Sequence, residues 1–127
     1  MILGIGTDLV NVARIELALQ RHGEKFARRL LATAEWGDYR RTSHAARFLA
    51  KRFAAKEALA KACGTGLRYP VGLQSISVIH DGLGKPTFSF DANLADFLRG
   101  RGVARHHLSI SDEHEAALAF VILEGEA

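Results

Sequence analysis

The stretch from His44 to Ala62 constrains this chain more than any other. It contains no glycine or proline, is rich in alanine, follows Ser43 and runs into Gly64. Alanine, leucine, lysine and glutamate hold a helix at little entropic cost, and a glycine just past the end is a natural stop. The segment is therefore expected as one long helix. At 100° per residue, Phe48, Leu49, Phe53, Leu59, Ala60 and Cys63 share a broad apolar arc, so the helix is expected to lie against a core. Arg52 and Lys56 fall inside that arc. Either their stems cover apolar surface while the charged heads reach water, or this face borders an anionic ligand. Glu57 and Lys61 stand one turn apart just beyond Phe53, in the spacing of an ordinary surface ion pair.

Around this helix the chain alternates between short elements. Ile2 to Val10 reads as a first strand, with Gly4 and Gly6 marking close backbone approach. Asn11 is a candidate N-cap for a helix through Arg14, Ile15, Leu17 and Arg21 that Gly23 ends. A short helix through Phe26 and Leu30 follows, and Thr33 opens another with Glu35 near its positive end. Leu73 to His80 and Thr87 to Phe90 alternate in polarity about the turn Asp81–Pro86, which predicts a hairpin. Asp91 caps a helix through Leu94, Phe97 and Leu98. His107 to Ser111 alternates as a strand, and the apolar run Ala116 to Leu123 suggests a strand covered on both faces. The expectation is a single α+β domain over residues 1–127, with helices early and an antiparallel sheet late.

Composition narrows the class of function. The chain has 127 residues, 48% hydrophobic and 24% charged, the range of an ordinary globular domain. No apolar run approaches the roughly 20 residues of a membrane span, and Met1-Ile2-Leu3-Gly4 lacks the basic start of a secretory signal. One cysteine, Cys63, forms no internal disulfide and fits a reducing compartment, so a cytoplasmic location is expected. A net charge of +3 points mildly to an anionic partner.

Two further features carry chemistry. Gly64-Thr65-Gly66 after the long helix is a loop where backbone can approach phosphate oxygens, although it lacks the GK[ST] of a Walker loop. Asp8 follows a glycine-bearing strand; it is either a cap or turn residue, or a metal ligand. Magnesium takes one or two carboxylates together with phosphate oxygens, and Asp8 with Glu57 would suit it if the fold brings them together.

These segments, taken in order, resemble the short bacterial-type holo-(acyl-carrier-protein) synthases within the 4′-phosphopantetheinyl transferase superfamily. The resemblance rests on Gly4-Ile5-Gly6-Thr7-Asp8-Leu9-Val10 with Arg14-Ile15, and on Arg52-Phe53-Ala54-Ala55-Lys56-Glu57-Ala58-Leu59-Ala60-Lys61-Ala62 with Gly64-Thr65-Gly66. Gly84-Lys85-Pro86 and His107-Leu108-Ser109-Ile110-Ser111-Asp112 extend it across nearly the whole chain.

The resemblance implies a magnesium-dependent enzyme. It would move 4′-phosphopantetheine from coenzyme A to a serine of an apo-acyl carrier protein in fatty acid biosynthesis. Asp8 and Glu57 would hold Mg2+, with Glu57 also the candidate general base and Lys61 contacting the pyrophosphate. Arg52 and His107 would meet the 3′-phosphate, and Gly64, Thr65, Gly66, Gly84, Lys85 and Pro86 would line the cofactor groove. Arg14, Arg21 and Arg28 would dock the acidic carrier. The chain would be a subunit of a homotrimer whose sites lie at subunit boundaries, with neither nucleic acid nor membrane as partner. The alternative is a metal-dependent phosphohydrolase that uses the same carboxylates with water as nucleophile. A nucleic-acid-binding module would explain the basic charge but leaves Asp8 and Glu57 without a role, and a non-catalytic subunit would reduce the charged helix to an interface.

Overall fold

A computed structural model describes residues 1–127. In chain order the elements are β1 (Ile2–Asn11), α1 (Val12–His22), α2 (Glu24–Leu30), a 3-10 turn (Thr33–Glu35), α3 (Trp36–Arg41) and α4 (Ala45–Cys63). A second 3-10 turn (Leu73–Ser75), β2 (Ile76–His80), β3 (Pro86–Phe90), α5 (Ala92–Gly100), β4 (Arg105–Asp112) and β5 (Ala116–Glu124) follow. The strands form two antiparallel sheets, one ordered β1-β5-β4 and a hairpin β2-β3. This is the expected α+β arrangement. None of the helices is long and apolar enough to cross a membrane.

The predicted stops and starts hold where side-chain chemistry sets them. Asn11 accepts from the Ala13 N–H and opens α1, and Asp91 accepts from Leu94 N–H and opens α5. Gly64 closes α4 at φ 75°, a left-handed cap that a Cβ would disfavour. In the hairpin turn, Asp81 accepts from the backbone of Leu83 and Lys85, which lets Gly84 take φ 86°. Leu73 does not begin a strand; residues 73–75 make a 3-10 turn and pairing starts at Ile76, whose side chain is buried with that of Val78.

The helix α4 lies across the inner face of the larger sheet at unusually short range. A Cβ added to Gly4 would stand 1.9 Å from the Ala62 carbonyl oxygen, and one added to Gly6 1.9 Å from that of Ala58. Gly4 and Gly6 are alternate residues of one strand face, and Ala58 and Ala62 are one helical turn apart, so the two stripes match. The next inward residue of β1 is Asp8. Fully buried Leu49 and Leu59 anchor other parts of α4, each contributing about 1.5–3 kcal/mol of burial.

One expectation is corrected. Strand β5 is covered on one face only: Ala117, Ala119, Val121 and Leu123 are buried under α4, while Leu118 and Phe120 remain exposed. Their neighbours in register on the outer face are Leu9 and Ser111 for Leu118, and Thr7 and Ser109 for Phe120. Ile5, exposed as well, completes an apolar outer surface that no element of the chain covers.

Candidate active site

Asp8, Glu57 and Lys61 meet where β1 passes the C-terminal turns of α4. The Lys61 ammonium donates to Asp8 Oδ1 at 3.0 Å and to the Thr7 carbonyl at 3.1 Å. Its expected partner was Glu57; the structure gives it Asp8 instead, because the glycine stripe brings β1 within reach of the helix. Asp8 is 16% exposed at its side chain and Lys61 54%. Burial pushes the Glu57 carboxyl above its ordinary value; the Asp8 charge adds to this and Lys61 opposes it. Two carboxylates thus lie near enough to feel each other's charge, and the one ammonium among them is bonded to Asp8. No group of three or more His, Cys, Asp or Glu side chains stands ready to hold a metal by itself. The donor set fits a hard cation that draws its remaining oxygens from water and a phosphate ligand.

Gly64, Thr65 and Gly66 continue from α4 just past Lys61, and a Cβ on either glycine would meet open space. The Thr65 hydroxyl donates to the Gly66 carbonyl at 2.8 Å. The loop leaves α4 directly after the turn that carries Lys61.

A second, cationic half lies at the opposite edge of the sheet. Lys85, Pro86 and His107 line a hollow of ≈ 380 Å³ on the outer face of β4, together with Phe120 and Ile122. Gly84 and Pro86 also wall a neighbouring hollow of ≈ 250 Å³ that contains Lys51, Arg52, His80 and Asp112. Burial and then the nearby Arg52 charge hold the His80 imidazole below its ordinary value. Strand β5 separates β1 from β4, and Asp8 points inward whereas His107 lies on the exposed face, so one chain does not bring the two halves together.

Arg52 and Lys56 require a correction. Neither head snorkels to water, and the anion they meet is internal. Arg52 is 4% exposed, Lys56 0% and Glu35 1%. Glu35 Oε2 accepts from Arg52 at 2.9 Å and Oε1 from Lys56 at 2.5 Å, while the Ala32 and Val78 N–H groups donate to the same carboxylate. Arg52 also donates to the Val78 carbonyl at 2.6 Å and stacks on Phe48, and Lys56 donates to the Leu30 and Leu73 carbonyls. Burial pushes the Lys56 ammonium down, with Glu35 opposing. The Arg52 charge is therefore already met within the chain, although its side chain still borders the second hollow. Glu35 is the residue that sequence reasoning missed. Its signal was indirect: two cations inside an apolar arc demand a buried acid elsewhere.

Of the three arginines expected to dock a partner, Arg14 and Arg21 stand exposed on α1 without an ion pair, and Arg28 makes an exposed i,i+4 contact with Glu24 at 3.3 Å.

Comparison with known proteins identifies the family. The 4′-phosphopantetheinyl transferase superfamily matches residues 4–121. A holo-(acyl-carrier-protein) synthase of Laribacter hongkongensis is 61% identical over 125 residues, 98% of this chain and 100% of that one. The crystal structure of a holo-(acyl-carrier-protein) synthase from Neisseria meningitidis superposes with a TM-score of 0.95 at 45% identity, covering 98% of this chain and 99% of the other. That of the Bacillus anthracis synthase in complex with CoA (3′,5′-ADP) gives 0.82 at 38% identity, covering 99% of both. The chain belongs to the 4′-phosphopantetheinyl transferase superfamily, among its holo-(acyl-carrier-protein) synthases.

Proposed function

We propose that this enzyme transfers 4′-phosphopantetheine from coenzyme A to a serine of an apo-acyl carrier protein, releases adenosine 3′,5′-bisphosphate, and serves fatty acid biosynthesis in the cytoplasm. The observation that carries the proposal is the meeting of Asp8, Glu57 and Lys61 at the contact of β1 with α4.

The serine oxygen attacks the β-phosphorus of coenzyme A and the bond to the bridging oxygen breaks. Negative charge then moves onto the leaving phosphate. Lys61, half exposed and on a flexible stem, leaves Asp8 to meet that charge. Asp8 and Glu57 would hold Mg2+, which when bound supplies charge neutralisation for the pyrophosphate. Glu57 accepts the serine proton, directly or through a water, and burial, which raises its carboxyl, strengthens it as a base. Gly64, Thr65 and Gly66 on one side, and Gly84, Lys85 and Pro86 on the other, line the groove for the coenzyme. His107 meets its 3′-phosphate, with Arg52 shaping the adjoining hollow. Arg14, Arg21 and Arg28 receive the acidic carrier protein.

The two halves of the groove lie at opposite edges of one sheet, which favours a site completed between copies. The uncovered apolar outer face, carrying Ile5, Leu9, Leu118 and Phe120, is where a second copy would seat. A homotrimer satisfies both requirements, since each copy offers its β1 edge to one neighbour and its β4 edge to the other.

The test is direct. The enzyme is mixed with an apo-acyl carrier protein, coenzyme A and magnesium, and the carrier is weighed by intact mass spectrometry. A gain of one phosphopantetheine, lost with EDTA and with Asp8→Ala, is the expected result. Breakdown of coenzyme A without carrier would favour a phosphohydrolase, and no mass shift with several carriers would overturn the proposal.

A further inference from the structure

Among the charged groups outside the carboxylate cluster, Glu124 at the end of β5 is the one drawn down most, to about 2, by hydrogen bonds from Arg105 and His107. Its Oε1 accepts from Arg105 Nε at 3.0 Å and lies 3.0 Å from His107 Nε2. Arg105 is held in turn by the Gly125 carbonyl at 3.2 Å and stands 3.8 Å from Glu126. The backbone fixes the carboxylate as well, because Arg105 and Glu124 are paired in register and Ala104 N–H donates to the Glu124 carbonyl. One carboxylate on a rigid strand end therefore orients an imidazole that would otherwise rotate freely at 53% exposure.

We propose that Glu124 is a positioning residue: by taking the Nε2 proton of His107 it turns the Nδ1 side of the ring to the hollow shared with Lys85, so that this edge, and not the whole ring, meets a phosphate of the ligand. The inference rests on the reading of His107 as a phosphate contact. With Nε2 engaged as a donor, Nδ1 makes no hydrogen bond within the chain and is the atom left for the ligand. It donates to an oxyanion when the ring is an imidazolium. A carboxylate that approached the phosphate directly would repel it. Glu124 instead has its charge shared between the Arg105 guanidinium and the His107 ring N–H, and so supports anion binding from behind the ring.

The test is a double-variant cycle on KM for coenzyme A and for the same molecule lacking its 3′-phosphate, with thermal melts as a folding control. Glu124→Ala is expected to raise KM for coenzyme A about fivefold to tenfold with kcat nearly unchanged. Glu124→Gln, which keeps an acceptor for Nε2, recovers part of that loss. The effect disappears with the ligand lacking the 3′-phosphate. Adding Glu124→Ala to His107→Ala costs nothing further, because the carboxylate acts only through the ring. In the ligand-free protein, imidazole nitrogen chemical shifts should report Nε2–H for His107 and lose that signature in Glu124→Ala. Additive effects of the two variants, or an Nδ1–H ring in the free protein, overturn the inference while leaving the transferase reading standing. An unaltered wild-type carrier mass in the preceding assay would instead strike the reading on which it rests.

Discussion

Helix α4 contributes to two charge clusters of opposite balance, one with two cations and one acid and the other with two acids and one cation. Glu35, Arg52 and Lys56 form one; Asp8, Glu57 and Lys61 form the other. In the first, every head group is buried and each has its donors and acceptors matched by carboxylate or backbone. In the second, two like-charged carboxylates act on each other, one carboxyl is pushed above its ordinary value, and the single cation is half exposed. The closed cluster locks α4 to the first 3-10 turn and to β2. The open one carries two carboxylates against a single ammonium, the imbalance on which the proposed cation site rests.

The largest effect should separate the two clusters by stability. Glu35→Gln leaves Arg52 and Lys56 buried without their anion and is expected to cost about 3–5 kcal/mol, read as a fall in the urea midpoint. Asp8→Asn should change the unfolding free energy by less than about 1 kcal/mol, since its partner Lys61 is half exposed, while lowering transfer to the carrier by roughly 100-fold or more. Equal destabilisation by both would erase the distinction.

The next effect sharpens it. Arg14→Glu touches neither cluster and should raise KM for the carrier protein about tenfold at low salt, with the difference shrinking as salt rises. A loss in kcat instead would place α1 in the chemistry.

The smallest effect has the opposite sign. Folding raises the Glu57 carboxyl, so the stability linked to its protonation is present below the unfolded value near 4.5 and is lost as pH rises through the folded one. At neutral pH, Glu57→Gln should remove like-charge repulsion and raise Tm in the absence of metal by about 1–2 °C, while transfer collapses. A drop in Tm would show that Glu57 has a structural role after all.

Much of this was legible in the residues themselves. Caps and stops such as Asn11, Asp91 and Gly64 act through local hydrogen bonds or backbone freedom, and local rules found them. The long helix followed from propensity alone. What stayed hidden depended on contacts distant in sequence. Glu35 sits in a short 3-10 turn with no periodicity to betray its burial, and its partners lie 17 and 21 residues away. The pairing of Lys61 with Asp8 spans 53 residues. The run Ala116–Leu123 looked covered on both faces because Leu118, Phe120 and Ile122 are as apolar as their buried neighbours. In the chain itself only the face toward α4 is covered.

The approach of Gly4 and Gly6 to the carbonyls of Ala62 and Ala58 has a consequence for any survey of tolerated changes. Positions 4, 6 and 8 would all score as intolerant in an activity screen, a pattern readily mistaken for three catalytic residues. Only Asp8 belongs to the proposed catalytic cluster. The two glycines act as a spacer of fixed thickness, backbone against backbone, with no rotamer available to absorb an error. A replacement as small as alanine would lift the strand off the helix and carry Asp8 away from Glu57. An inactive Gly6→Ala variant would then regain partial activity only from changes that restore the gap on the helix side, and no change among the ligand-binding groups would rescue it.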